Sequence, residues 1–248
     1  MTTQQLGRPQ GKTGQAKVLD DKELKMVLKI IDSGHHAKRN TAIVILSHYL
    51  GLRSKELASL KISDVVEPNG QIKKVLRLLA SYTKGAKHRD ISLENKSVIK
   101  SLQDYITART VDDGLTFNYS APLFKSQKKT AFSANAMVPV LGDIYKNAGF
   151  KDASSHSGRR SLITKLAYAG IDLNSIRQIA GHSSISTTQR YIDDNPYKIA
   201  DILRAIQYQI YLKRVLTLLF FRMTSYLLST FHYKLLIYPK HQLNYSTY

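Results

Sequence analysis

The sequence predicts a mainly α-helical (α+β) domain that carries one small antiparallel β-sheet. Three observations lead to it. Apolar residues recur at helical spacing through most segments between residues 19 and 206. One stretch, "DVVEPNGQIKKVLRLLASYTKGAKHRDISL", departs from that period, with two turn signals and alternating β-branched runs. The composition is that of a globular protein, 43% hydrophobic and 22% charged, and 248 residues suffice for one good-sized core or two small ones.

The elements follow in order. Residues 1–18 are polar, rich in Gly and Gln, and lack the apolar core of a signal peptide, so they are expected to form a mobile tail. "LDDKELKMVLKIID" opens a helix with Asp20 as N-cap and Glu23 three residues on, the spacing of a capping box, and Leu24, Val27, Leu28 and Ile31 share one face. "SGHHAKRN" breaks it, with His35 and His36 read as loop residues. "TAIVILSHYLG" reads as a buried helix stopped by Gly51, and "SKELASL" as a short one. The Pro-Asn-Gly and Lys-Gly-Ala-Lys turns bound the two sheet strands. "ENKSVIKSLQDYITART" is helical, "DDGLTFNYSAPLF" is loop, and "SANAMVPVLGDIYKNAGF" is a helix capped by Ser133 with Pro139 inside it. Short helices follow from Gly158 to about Ile206, one of them capped by Ser186 or Thr187.

Residues 208–248 differ in kind. They hold seven of the fifteen tyrosines, and no acidic residue follows Asp201. The run "VLTLLFFRMTSYLLSTFHYKLLIY" is apolar, but Arg222 and Lys234 leave eleven uncharged positions between them, short of the roughly 18–20 that span a bilayer. This extension reads as an oligomerisation helix for a neighbour, as a poorly ordered tail, or as a segment foreign to the parent fold; no membrane contact is expected.

Charge narrows the function. There are 37 Lys and Arg against 18 Asp and Glu, a net charge of +19. Such an excess favours a polyanionic partner, because each neutralised phosphate releases counterions; charge alone fits a membrane surface or an acidic protein as well. The absence of cysteine excludes disulfides, thiolate metal sites and a thiol nucleophile, and fits a reducing compartment.

The chemistry-bearing residues lie in three stretches. "SSHSGRRSL" puts His156 and Arg159 three apart at a helix start, where they project to one side, with Arg160 beside them. "AGHSSISTTQRYI" holds His182 in a turn, then Arg190 and Tyr191. "GLRSKEL" places Arg53 at a helix start with Glu56 one turn on, and "TKGAKHR" places Lys84 at a hairpin turn, with Lys87 and Arg89 nearby. Phosphodiester cleavage without metal needs a nucleophile, donors for the non-bridging oxygens and an acid for the leaving oxygen. Two arginines, two histidines, a lysine and a tyrosine supply all of these; no metal or other cofactor is required, and no carboxylate cluster stands ready to hold one.

The stretches "GLRSKELASLKISDV", "TKGAKHRDISL" and "HSGRRSLITKLAYAGIDLNSIRQIAGHSSISTTQRYI" stand in the order and spacing of a known family. Over about residues 19–207 the chain resembles the catalytic domain of the tyrosine recombinases, or phage-type integrases. The resemblance implies that Arg53 is the first catalytic arginine and Glu56 the acidic neighbour that steadies the site. It implies that Lys84 protonates the leaving 5′ oxygen (Lys87, in the same turn, is the other candidate), that His156 and Arg159 form the His-x-x-Arg pair, that His182 donates to the phosphate and that Tyr191 is the nucleophile. Lys87, Arg89, Arg160 and Arg190 are expected DNA contacts, and Lys73, Lys74, Lys125, Lys128 and Lys129 ordinary backbone-contacting or solvated lysines. The family's usual His-x-Leu-Arg-His box reads His-Ser-Gly-Arg-Arg here, with Gly158 in place of a packing leucine and Arg160 in place of a histidine; neither change removes a required group.

About eighteen residues precede the first catalytic-domain helix, where most family members carry a further DNA-clamping domain. The chain therefore resembles the short, single-domain members, such as the fimbrial phase-variation invertases; a remnant of a mobile element is the other reading. The expected function is site-specific DNA recombination through a 3′-phosphotyrosine link, on double-stranded DNA, by a homo-tetramer, with accessory DNA-bending proteins as further partners, in the bacterial cytoplasm at the nucleoid. Two alternatives stand beside it: a DNA-binding accessory protein that does not cut, and a relaxase of the type IB topoisomerase kind. A helix-turn-helix reading of "RQIAGHSSISTTQRYI" explains the charge but leaves "GLRSKEL" and "TKGAKHR" without a role.

Overall fold

The computed structural model describes residues 16–83, 88–189, 191, 206–220 and 222–224. The chain divides between Asp194 and Asn195 into two units.

The first unit is built around a helix that is apolar on every side. Helix α2 (Ala37–Leu50) buries Ala42, Ile43, Val44, Ile45, Leu46 and Leu50 as well as Ser47 and His48. A helix of that kind is stable only when other elements surround it, and α2 packs against α1, α5 and α7. Each buried Ile, Leu or Val side chain contributes about 1.5–3 kcal/mol of transfer free energy. Helix α1 (Asp21–Asp32) is amphipathic and turns Leu24, Val27 and Ile31 inward. Its capping box is present: the Glu23 amide donates to Asp20 Oδ1 at 2.8 Å, and the Asp20 amide to Glu23 Oε2 at 3.1 Å. The α1 entry is tied to α7 by the Leu19 amide, which donates to Ser161 Oγ at 2.8 Å.

Short helices α3 (Ser54–Ser59) and α4 (Ile62–Val65) follow, then the sheet. Strands β1 (Val75–Leu78) and β2 (Arg89–Ser92) pair antiparallel, with Leu76 opposite Ile91 and Leu78 opposite Arg89. Helix α5 (Lys96–Asp113) starts on an Asn95 cap and α6 (Ala134–Asn147) on a Ser133 cap. Helix α6 continues through Pro139, giving up one ladder bond without ending. Helices α7 (Ser157–Tyr168), α8 (Leu173–Ala180) and α9 (Ile185–Gln189) complete the unit. Ile163, Ile176 and Ala180 form a small second core there, with Tyr191 packed on it.

Several local readings differ from the structure. The loop read from Asp112 starts too early, because α5 runs to Asp113 and Gly114–Thr116 form a 3-10 turn. Helix α2 begins at Ala37 with His36 as its N-cap residue, so "AKRN" is its first turn and not loop. Helix α9 begins at Ile185, and the hydroxyl that accepts a backbone N–H at its start belongs to Ser184, which pairs with the Ser186 amide at 3.2 Å. Of the lysines read as backbone-contacting or solvated, Lys73 donates to the Ser63 carbonyl at 2.7 Å and Lys125 reaches Asp113 at 2.7 Å, so both are tied into the fold.

In the second unit, residues 206–220 and 222–224 are helical, and Tyr208, Leu216 and Phe220 are exposed. No helix among the described residues is long and apolar enough to cross a membrane.

Candidate active site

The site is organised by the ends of helices. Helix α2 stops at Gly51, whose φ of 64° suits glycine, and α8 stops at Gly181 with φ of 62°. The last carbonyls of a helix have no partner within it and form the negative end of its dipole. Here arginines from three other elements supply the partners.

Arg53 is the N-cap residue of α3. Its backbone amide donates to Glu56 Oε2 and its Nη1 to Glu56 Oε1, each at 2.8 Å, and its Nη2 donates to the Gly181 carbonyl at 2.8 Å. Arg159, in the first turn of α7, is 2% exposed. Its Nη1 donates to the Gly51 carbonyl at 2.6 Å and its Nη2 to the Ala180 carbonyl, so it bridges the ends of α2 and α8. Burial, and then the charge of Arg53, pushes its pKa well below the ordinary arginine value. Arg89, on β2, donates through Nη1 to the Ala180 carbonyl at 2.6 Å and through Nη2 to Glu56 Oε2 at 3.1 Å. Glu56 is fully buried between two guanidinium groups. A carboxylate in that setting is held by its partners, and removing them strands a buried charge.

His182 follows Gly181 and is 6% exposed. Its Nδ1 lies 2.9 Å from Thr188 Oγ1. Burial, then Arg159, Arg53 and Arg89, pushes its pKa down to about 3, so the ring is neutral at pH 7. Its ring stacks on Tyr191, with centroids 5.4 Å apart and planes 21° apart. Tyr191 is half-buried, and its amide donates to the Thr188 carbonyl at 3.0 Å. His156 is the N-cap residue of α7, exposed at the edge of the site. Desolvation of its ring, then Arg159 and Arg53, lowers its pKa.

The structure thus brings Arg53, Glu56, Arg159, His182 and Tyr191 together from α3, α7 and the α8–α9 region, with His156 at the rim and Arg89 alongside. Arg160 is buried in α7. Lys84, Lys87 and Arg190 lie outside the described residues. Among the described residues no three His, Asp or Glu side chains gather closely enough to hold a metal ion.

Sequence reasoning missed Thr188 and the carbonyls of Gly51, Ala180 and Gly181. Thr188 stands six residues after His182 among other hydroxyl residues, and nothing local marks it as the partner. For Arg89 a signal existed: in β2, Arg89 and Ile91 share the less exposed face while Asp90 and Ser92 share the exposed one.

The phage integrase family model matches residues 17–198. The chain belongs to the phage integrase family. Among relatives, the tyrosine recombinase XerA of Pyrococcus furiosus is 30% identical over 175 residues, covering 71% of this chain and 56% of that protein. The tyrosine recombinase XerC of Pelobacter propionicus is 30% identical over 158 residues, covering 63% of this chain and 48% of that protein. The chain spans about half the length of these two curated relatives. The crystal structure of XerA recombinase superposes with a TM-score of 0.64 at 26% identity, over 80% of this chain and 66% of that one. The helical fold with its two-stranded sheet is therefore the phage integrase catalytic fold.

Proposed function

We propose that this chain cuts and rejoins double-stranded DNA as a site-specific recombinase, through a 3′-phosphotyrosine link. The observation that carries this reading is the convergence of Arg53 and Arg159 on the Ala180–Gly181 carbonyls, beside a neutral His182 whose ring stacks on Tyr191, with Glu56 as the carboxylate among them. That arrangement offers cations and a neutral donor to one dianionic transition state beside one nucleophilic oxygen.

In this reading Tyr191 Oη attacks the scissile phosphorus and the bond to the 5′ oxygen breaks. His156 helps accept the tyrosine proton or orients the phosphate, and Lys84 gives a proton to the leaving oxygen. Arg53 and Arg159 neutralise the non-bridging oxygens. His182, with Nδ1 engaged by Thr188, offers Nε2–H to one of them. The phosphodiester bond is conserved as a phosphotyrosine, and attack by a new 5′ hydroxyl reverses the step, so rejoining needs no ATP. The net charge of +19 supplies the attraction to DNA. The family name of the relatives supports recombination as the outcome. Recombination cuts two duplexes in concert, and this reading therefore takes four protomers on the DNA.

Covalent trapping tests it. The protein is incubated with nicked duplexes taken from the DNA flanking its gene, then denatured. The expected result is a protein–DNA band that survives denaturation and is absent for Tyr191→Phe. Salt-sensitive binding with no covalent band on any duplex would instead establish a DNA-binding protein that does not cut.

A further inference from the structure

Arg89 faces inward from a strand at the edge of the site. Its side chain is 11% exposed. One arm of the guanidinium holds Glu56 Oε2 and the other holds the Ala180 carbonyl. Each of those groups is one step from a residue assigned to the phosphate. The second oxygen of Glu56 holds Arg53 at 2.8 Å, and Ala180 leads through Gly181 to His182.

The space for Arg89 is built into the turn. A Cβ at Gly181 would lie 2.1 Å from Arg89 Nη1, closer than any real contact. Gly181 therefore serves two ends, the left-handed backbone that stops α8 and the volume the guanidinium occupies. A planar fork holds a carboxylate and a carbonyl at one fixed spacing, a geometry that the rotating donors of an ammonium do not impose.

We propose that Arg89 is a positioning residue of the cleavage site: it acts through Glu56 on Arg53, and through the Ala180–Gly181 turn on His182, without a DNA phosphate contact of its own. The inference rests on the recombinase reading above, in which Arg53 and His182 hold the scissile phosphate.

The test combines single-turnover cleavage of the nicked duplex with binding measured against salt, for wild type, Arg89→Met, Arg89→Lys, Arg53→Ala and the double variant Arg89→Met/Arg53→Ala. Arg89→Met is expected to slow cleavage about ten- to hundred-fold, the scale of a small misplacement of reacting groups. The salt slope of binding should stay at the wild-type value, whereas loss of a phosphate-contacting arginine lowers it by about one. Arg89→Lys should also be slow, although it keeps the charge. The double variant should be slower than Arg53→Ala alone by clearly less than the factor Arg89→Met costs in the wild type, because the arm through Glu56 has then lost its target and only the arm to the Ala180–Gly181 turn still acts. A salt slope reduced by about one, a Lys variant at the wild-type rate, or losses that multiply in the double variant would each overturn the inference. If Arg89→Met fails to fold by circular dichroism, Arg89→Lys and its double variant with Arg53→Ala decide the same points. Wild-type cleavage with an undisturbed Arg89→Met sinks the role of Arg89 alone; a wild type that never forms the covalent product sinks the recombinase reading and this role with it.

Discussion

The rings of His182 and Tyr191 lie stacked, 5.4 Å between centroids and 21° between planes. The stack fixes the tyrosine ring against a histidine that is itself pinned by Thr188. Phenylalanine preserves the stack and removes only the oxygen. Tyr191→Phe should bind DNA as wild type does, with the same salt dependence, and form no covalent product on the nicked duplex. Tyr191→Ala should in addition disturb His182, visible as a shift of its ring resonances in NMR.

Thr188 is fully buried, and its hydroxyl faces the δ nitrogen of His182. Valine has the same shape without the hydroxyl. Thr188→Val should slow cleavage about ten-fold and cost about 1–3 kcal/mol of stability, the scale of one buried group left unpaired. Thr188→Ser should restore most of the cleavage rate. Equal cleavage by Thr188→Val and wild type would show that the histidine needs no fixed tautomer.

His48 is 3% exposed on α2, and its Nδ1 finds no partner among the described residues. Burial, then the charge of Lys165, pushes its pKa down to about 4, against the opposing effect of Asp21. An unfolded histidine titrates near 6.5. Between those values the unfolded chain binds a proton that the folded chain refuses, so the contribution is intact above pH ~6.5 and is lost as pH falls towards about 4. His182 adds to the same slope, down to about 3. Urea unfolding at pH 7 and pH 4.5 should differ by about 2 kcal/mol or more from His48 alone. His48→Gln should narrow that difference by a similar amount.

Gly158 lies where α7 crosses α2. A Cβ there would sit 2.5 Å from Ser47 Oγ and 3.0 Å from the His48 backbone nitrogen. The glycine that stands in place of the family's leucine is thus a close-packing residue, with no room for a side chain. Gly158→Ala should push the helices apart and cost about 1–3 kcal/mol, read as a lower thermal midpoint. It should also slow cleavage, because the next residue, Arg159, spans the same contact to the Gly51 carbonyl at 2.6 Å. Gly158→Leu should be worse on both counts.

Much of the fold was legible because its signals are local. The Asp20–Glu23 capping box, the Gly51 stop and the Ser133 cap each involve residues a few positions apart, and the two strands pair within one short stretch, Val75 to Ser92. The first turn of α2 was not, because "AKRN" after "SGHH" has the composition of a loop and becomes helical as the lead-in to a buried helix. The site residues were legible as a set because three spaced stretches of sequence carry them. Their partners were not. Arg53 meets Gly181 across 128 positions, Arg89 meets Ala180 across 91 and Arg159 meets Gly51 across 108.

The sequence by itself determined the helical class, the basic charge, the family and the list of groups able to work on a phosphate. Only the tertiary structure decided that Arg89 turns inward, that Thr188 holds His182, and that Gly158 and Gly181 exist to make room. The physical reason is common to all of them. The acceptors that gather the three arginines are main-chain carbonyls at the ends of α2 and α8, which every residue type carries alike, and the space each arginine needs is defined by elements distant in the chain.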